Sequence, residues 1–360
     1  MIMISDLSLL HGIAEKIKKL ETNREKLGIF LKEIKYDVDI SGGDVLEKKI
    51  SYPIKEFKGR IKICATDGGS IQNSYHGLDI ILVRAVSVIA EYSQGKLENI
   101  AYFPNAFPQP DIEIVFDPFT DEEFLLKSSL IRQKKEILTT IEAVKRFNPD
   151  IVLLDGSIVP HPSSKPQKNS VLYQNYLEVI ENLEKLYSIP FLAGCSEDSR
   201  GRKFCEIISE KILSCIESPL VPELKKILKG TRDTNLLYHV LDVGERTCVF
   251  RYGDSPVIKD IGEKGKNIYT FYMKPAEFDR PLRIDFYAEK DVIKTAEKLA
   301  SIIHMLCCHS SYAFPAPLVE ADLRAKLKEI DIEVVHKHLV DITGLLPSLM
   351  KLRRETRPFR

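Results

Sequence analysis

The chain's 360 residues exceed one simple domain but suit one elaborated α/β domain, and 44% hydrophobic with 29% charged residues excludes a generally disordered chain. Basic and acidic residues balance at 52 each, so net charge lends no support to a polyanion partner, although a basic groove can coexist with acidic surface elsewhere. The seven cysteines include no CxxC pair, which argues against a disulfide framework and fits a reducing cytosol. The start MIMISDLSLL lacks the basic region and cleavage site of a secretory signal. Each apolar stretch meets a charge well before the roughly 20 residues of a membrane span, so a soluble cytoplasmic protein without a membrane partner is expected.

Leu7, Leu10, Ile13, Ile17 and Leu20 recur at helical spacing and predict a helix over 5–36. Residues 37–58 are polar and mixed, a loop with short strands. Ile61, Ile63 and Ala65 predict a strand that ends at Asp67. The β-branched run LDIILVRAVSVIAEY (78–92) predicts a second strand, LENIAYFPN (97–105) its hairpin partner, and DIEIVFDP (111–118) a further strand. Asp121, Glu122 and Glu123 open a long helix to about Arg146, because acids suit a helix N-terminus, and Asn148-Pro149 stops it. DIVLLDGS (150–157) is a short continuous apolar strand of the kind buried on both faces.

A helix over 170–187, the strand IPFLAGCSED (189–198) and helices over 202–216 and 221–229 follow. Strands RTCVFRYGD (246–254), NIYTFYMKP (267–275) and LRIDFYAE (282–289) precede helices over 291–310, 318–331 and 333–350. The basic tail RRETRPFR is expected to fray. Hairpins first, then single strands separated by helices, describe an α/β protein with a mixed sheet and helices on its faces.

Two stretches, ICATDGGS (63–70) and IVLLDGSI (151–158), drive an apolar strand into Asp-Gly. Asp-Gly is a common way to leave a strand, so each alone reads equally well as a turn. Together they raise a chemical alternative. Mn²⁺ and Mg²⁺ prefer hard oxygen ligands, and cleaving a phosphodiester with two ions needs several carboxylates from separate elements. The ends of buried strands are rigid platforms for them.

From about residue 60 to 335 the chain resembles the NurA family of archaeal nucleases. The resemblance rests on ATDGGS, LIRQKKE, IVLLDGSIVP, AGCSEDSRGRKF, FYMKPAEFDRPLRIDF and YAFPAPLVEADLRAKL, in that order. It implies an RNase H-like mixed sheet flanked by helices, with an N-terminal helical extension and inserted strands and helices. It divides the chain into a dimerisation extension (1–58), a nuclease domain (59–335) and a C-terminal helix with its tail (336–360). The implied activity is a Mn²⁺- or Mg²⁺-dependent 5′-to-3′ DNA exonuclease, with or without single-strand endonuclease activity. The family works as a homodimer with the hexameric translocase HerA in DNA end resection and double-strand break repair.

By the same resemblance the family's aspartates fall on Asp67 and Asp155, and its Arg-x-x-x-Glu on Arg132 and Glu136, with Glu142 as the fallback. Alone, Glu136 reads as a solvated surface acid. The family's Tyr-Pro-x-Pro-Leu run followed by Ala-His becomes Phe314-Pro315-Ala316-Pro317-Leu318, then Ala321-Asp322. Phe314 loses the tyrosine hydroxyl and puts its role in doubt. Asp322 replaces histidine but still suits a hard cation, giving Asp67, Glu136, Asp155 and Asp322 as the metal and catalytic set. The plainer reading of Asp322 is a first-turn helix acid, and Glu320 competes with it.

Arg200, Arg202 and Lys203 in SEDSRGRKF, Lys274 after its strand, and Phe314 are candidate DNA contacts, each also readable as an ordinary loop, strand-end or core residue. His161, Lys165 and Lys168 lie in a Pro-rich loop. His304, Cys307 and Cys308 in HMLCCH do not have zinc-finger spacing and read as core. GEKG (262–265) lacks the Lys-Ser/Thr of a phosphate loop, so ATP hydrolysis falls to a partner. Two other classes compete: a non-catalytic DNA-binding adaptor on the same fold, and a metal-dependent phosphatase or RNA nuclease.

Overall fold

The computed structural model describes residues 7–116, 119–217, 219, 221–354 and 356–357. Residues 5–6 of the first expected helix, 117–118 of the fourth expected strand and parts of the basic tail lie outside the described residues. In chain order the elements are α1 (Leu7–Ile34), β1 (Ser51–Pro53), β2 (Arg60–Ser74), β3 (Leu78–Ser93), β4 (Lys96–Phe103) and β5 (Asp111–Phe116). Next come α2 (Asp121–Phe147), β6 (Ile151–Asp155), α3 (Tyr173–Leu186), β7 (Leu192–Ser196), α4 (Lys203–Lys211), α5 (Val221–Lys229) and α6 (Asp233–Val240). The chain closes with β8 (Glu245–Thr247), β9 (Phe250–Arg251), α7 (Pro256–Ile261), β10 (Ile268–Lys274), β11 (Leu282–Tyr287), α8 (Val292–Leu306), α9 (Ala316–Ala325) and α10 (Glu329–Thr343). This is the mixed α/β architecture the sequence predicts, opened by a long helix.

Two compact units divide these elements. One comprises Met1–Glu56, Cys195–Gly253 and Ile268–Phe314. In it β1, β8, β10 and β11 pair antiparallel in that order, with β9 also on β10. The single strand expected over 246–254 is two short ones, because Cys248 and Val249 break the ladder between them. Leu27 and Leu31 of α1 join a core with Phe204, Leu236, Leu237 and Phe250. Arg246, 2% exposed, sets both terminal guanidinium nitrogens on Glu47 at 2.6 and 2.8 Å. A buried guanidinium is tolerable only when paired in this way.

The other unit comprises Phe57–Gly194, Asp254–Asn267 and Pro315–Arg360. Its strands run β6, β2, β3, β4, with β5 also on β3. β6 and β2 are parallel, and the remaining pairs are antiparallel. Ile151, Val152, Leu153 and Leu154 are all buried, as a strand covered on both faces requires. α2 starts at a capping box, in which Thr120 and Glu123 satisfy each other's backbone N–H groups, and it ends at Asn148 in the left-handed conformation.

β2 does not end at Asp67. It runs through Asp-Gly-Gly-Ser to Ser74, in unbroken register with β3: Asp67 faces Val86, Gly69 faces Arg84, and Ser74 faces Asp79. Neither Gly68 nor Gly69 has a positive φ, so here Asp-Gly is extended backbone held by a long partner, not a turn. β6 does stop at Asp155, followed by Gly156 at φ +82°. The two glycines of β2 serve close approach instead. A Cβ on Gly68 would lie 2.5 Å from Glu136 Cγ of α2, and one on Gly69 would lie 2.4 Å from the Ala325 carbonyl oxygen of α9. Adjacent strand residues point to opposite faces, so α2 and α9 cover opposite faces of β2 at this point.

Gly69→Ala therefore drives a methyl into backbone that has no rotamer to change. The expected cost is about 1–3 kcal/mol, read as a lower urea midpoint with unchanged m-value; an unchanged midpoint would contradict the close packing of α9 on β2.

Candidate metal centre

The parallel register of β2 and β6 pairs Ile63 with Ile151 and continues to Thr66 with Leu154. One step further along both strands stand Asp67 and Asp155. Residues level in a parallel pair share a face and stand about 4.8 Å apart across the strands. The two Asp-Gly stretches are thus side by side, with β6 ending where β2 continues.

Glu136, not Glu142, is the α2 acid turned toward β2: its side chain is 15% exposed and lies against Gly68, whereas Glu142 is exposed. Arg132, one helical turn earlier, donates to the Glu136 carboxylate and, at 3.2 Å, to the Gly68 carbonyl. Asp322 is on α9, and its charge acts on Asp67. Asp67 is 6% exposed. Burial, then the Asp155 charge and also Asp322, push its carboxyl up to about 7, against the Gly68 N–H and Arg132. Burial pushes Glu136 up to about 8, with Arg132 opposing and Asp67 and Asp155 adding. Electrostatic reach therefore joins Asp67, Glu136, Asp155 and Asp322.

The donor set is four carboxylates, the hard oxygen chemistry that suits Mn²⁺ or Mg²⁺, and their mutual repulsion is what a divalent cation would relieve. Among the described residues no three His, Cys, Asp or Glu side chains already stand in ligand geometry. Glu136 is turned onto Arg132 and would have to leave it in part to reach an ion. Glu320, the competing acid on α9, accepts from Tyr102 and Arg324 and is committed to them.

The other sequence candidates have identifiable surroundings. Arg200, Lys203, Lys274 and Phe314 belong to the first unit. Arg200 is exposed, while Lys203 is paired with Asp44 at 2.7 Å. Lys274 donates to the Tyr238 carbonyl at 3.0 Å and lies over its ring, and burial lowers its pKa. Phe314 is buried, and Arg202 donates to the Lys229 carbonyl. His161 caps a short helical turn, and Lys165 pairs with Asp260. Cys307 is buried, with its thiol pushed up by burial; His304 is partly buried and its pKa is lowered by burial; Cys308 is exposed.

Sequence reasoning missed Arg84, Tyr102, Phe107 and Arg324. Arg84, level with Gly69, donates to the Lys326 carbonyl at the end of α9. The only signal for the others was an aromatic residue inside the turn-rich PNAFPQP.

Comparison with known proteins places this arrangement. Residues 61–327 match the NurA domain. The NurA nuclease from Sulfolobus solfataricus superposes with a TM-score of 0.61 at 17% identity, covering 96% of this chain and 100% of that one. A NurA solved with dAMP and manganese superposes with a TM-score of 0.57 at 12% identity, over 97% of this chain and 100% of that one. Another NurA, solved with manganese, gives a TM-score of 0.53 at 11% identity, over 92% and 98% of the two chains. No curated protein matches. These likenesses establish the RNase H-like fold. No helix among the described residues is long and apolar enough to cross a membrane.

The raised carboxyls predict a pH dependence. Asp67 and Glu136 keep protons in the folded chain at pH values where the unfolded chain, at 3.8 and 4.5, has lost them. Their contribution to stability is full below those values and is lost as pH rises through about 7 and 8. In EDTA the Tm should fall between about pH 5.5 and about pH 8.5, and fall less in Asp67→Asn; the same slope in both proteins would contradict the coupling.

Proposed function

Because the chain belongs to the NurA family, we propose that it is a divalent-metal-dependent DNA nuclease in which Asp67, Glu136, Asp155 and Asp322 hold Mn²⁺ or Mg²⁺. The observation that carries this reading is that buried Asp67 and Glu136 lie within electrostatic reach of Asp155, and Asp67 also of Asp322, both at exposed positions, with Arg132 and the Gly68 N–H opposing the excess of negative charge. The NurA solved with dAMP and manganese supports manganese as the metal and a deoxynucleotide as the product class.

When bound, divalent cations supply charge neutralisation at the scissile phosphate and make a water acidic enough to attack it. The protein's part is placement. Asp67 and Asp155 are fixed by backbone pairing on β2 and the end of β6. Arg132 restrains Glu136 from the helix behind, and Asp322 comes from the helix on the opposite face. The histidine-to-aspartate exchange at Asp322 replaces an imidazole nitrogen by a carboxylate oxygen and adds a negative charge, so it is read as a change of ligand.

The finer reading is supported by the resemblance in sequence motifs. It is a 5′-to-3′ exonuclease, acting in the cytoplasm as a homodimer with a HerA-type translocase, in DNA end resection and double-strand break repair. Residues 262–267, with GEKG, form a short helical turn and hold no phosphate-loop signature, which supports leaving ATP hydrolysis to that partner.

End-labelled linear DNA incubated with Mn²⁺, Mg²⁺ or EDTA tests the proposal. Cleavage should require metal and fall at least ~100-fold in Asp67→Ala and in Asp155→Ala, both still folded by circular dichroism. Early release of a 5′ label as a mononucleotide fits the stated polarity, whereas early release of a 3′ label reverses it. No cleavage in either metal, alone or with the translocase, would leave the DNA-binding adaptor as the better description.

A further inference from the structure

A second feature of the same unit lies beside the acids and is used by none of the chemistry above. Tyr102 of β4 is the register partner of Val88 on β3, and Val88 is the partner of Ala65 on β2. Directly opposed residues of antiparallel strands share a face, and Ala65 shares its face with Asp67 two residues on. Two strand spacings of ~4.8 Å and two residues of ~3.4 Å put Tyr102 about 12 Å from Asp67 across one face. That face is the one covered by α9, through Gly69.

From α9, Glu320 accepts the Tyr102 hydroxyl at 2.8 Å and binds Arg324 at 2.7 and 2.8 Å. So held, the Arg324 guanidinium stands 5.1 Å from the Tyr102 ring centre and 4.5 Å from that of Phe107. Phe107 sits in the loop between β4 and β5, among Pro104, Pro108 and Pro110, and is 63% exposed. A single exposed phenylalanine is ordinary. This one is different because a pinned cation braces its ring, while most of the ring remains open to solvent.

An exposed aromatic ring beside an arginine is what a nucleobase stacks on. A base inside a duplex has both faces covered by its neighbours, so away from the duplex ends an unpaired base is what can use such a surface. We infer that Phe107, braced by Arg324, is a stacking platform for an unpaired base of single-stranded DNA, near the phosphate that is cut. This rests on the nuclease reading and extends it to a substrate preference: single strands and frayed ends over closed duplex.

Fluorescence anisotropy of the full chain in EDTA, where no strand is cut, tests it. The probes are a labelled 12-nucleotide single strand, the same strand with abasic sugars throughout, and a duplex closed at both ends by non-nucleotide linkers. Phe107→Ala and Phe107→Leu should each weaken single-strand binding about fivefold or more. They should leave duplex binding unchanged, and Phe107→Trp should bind as wild type. On the abasic strand the difference between wild type and Phe107→Ala should vanish.

Equal losses on single strand and duplex, a loss that persists on the abasic strand, wild-type affinity in both Phe107→Ala and Phe107→Leu, or no wild-type binding to the single strand would each overturn the platform. Wild-type cleavage in Mn²⁺ is measured alongside. If it is present while Phe107→Ala binds normally, the platform alone fails; if it is absent with and without the translocase, the nuclease reading fails as well.

Discussion

A carboxylate taken out of water beside a second acid is repelled by it, and that repulsion, of buried Asp67 by Asp155 at the exposed end of β6, is the constraint on which the acid-bearing unit depends. The register of β2 and β6, paired up to Thr66 and Leu154, sets Asp67 and Asp155 one step further on at neighbouring backbone positions, and pairing with Val86 of β3 holds the Asp67 backbone there. Only local contacts offset the cost: the Gly68 N–H and the Arg132 charge both pull Asp67 back toward ionisation. Arg132 also satisfies Glu136 and the Gly68 carbonyl, so one guanidinium stabilises acid from helix and strand together. The residual excess of negative charge is what makes the site suited to a cation, at the expense of the metal-free protein's stability.

The close approach needed to concentrate these charges is made by absence of side chain. Gly68 lets α2 lower Glu136 onto one face of β2, and Gly69 lets the end of α9 rest on the other. Gly194 does the same for the turn after Asp155, where a Cβ would meet the Gly156 carbonyl oxygen at 2.4 Å. These glycines are therefore part of the site although none carries a functional group. Longer residues there would leave the fold recognisable and move the acids apart.

Much of this was legible in the sequence, and the failures have physical causes. α2 was readable because acids, an apolar period and Asn-Pro mark its beginning and end, and β6 because four consecutive apolar residues suit a strand buried on both faces. β2 was cut short at Asp67 because Asp-Gly is a local turn signal, whereas its extension comes from fifteen residues of pairing with β3, a contact no local rule contains. α6, short and following Gly230 and Thr231, was missed; it is held by Asp233, whose carboxylate accepts from the Phe204 and Cys205 N–H groups some thirty positions away. The surroundings of Lys203 and Lys274 were not legible, because charge in a sequence carries no record of its partner, here Asp44 and the Tyr238 carbonyl and ring. Phe107 and Arg324 were invisible for the same reason, being joined only once α9 folds against β4.

The helix α9 shows how one short element serves two purposes. Leu318, Ala321 and Ala325 are buried and form its sheet-facing stripe. Asp322 lies four residues after Leu318 and three before Ala325, so it flanks that stripe on the side toward Asp67. Glu320 and Arg324 are themselves one turn apart and look the other way, toward Tyr102 and Phe107. A register change of one residue rotates every side chain by about 100° and would exchange these directions, removing acid and platform together. Pro315 and Pro317 bracket the start of the helix, where a missing N–H costs nothing and a fixed φ selects the first turn. The prolines of Phe-Pro-Ala-Pro-Leu thus fix where α9 begins, and with it the direction in which Asp322, seven and five residues further on, leaves the helix.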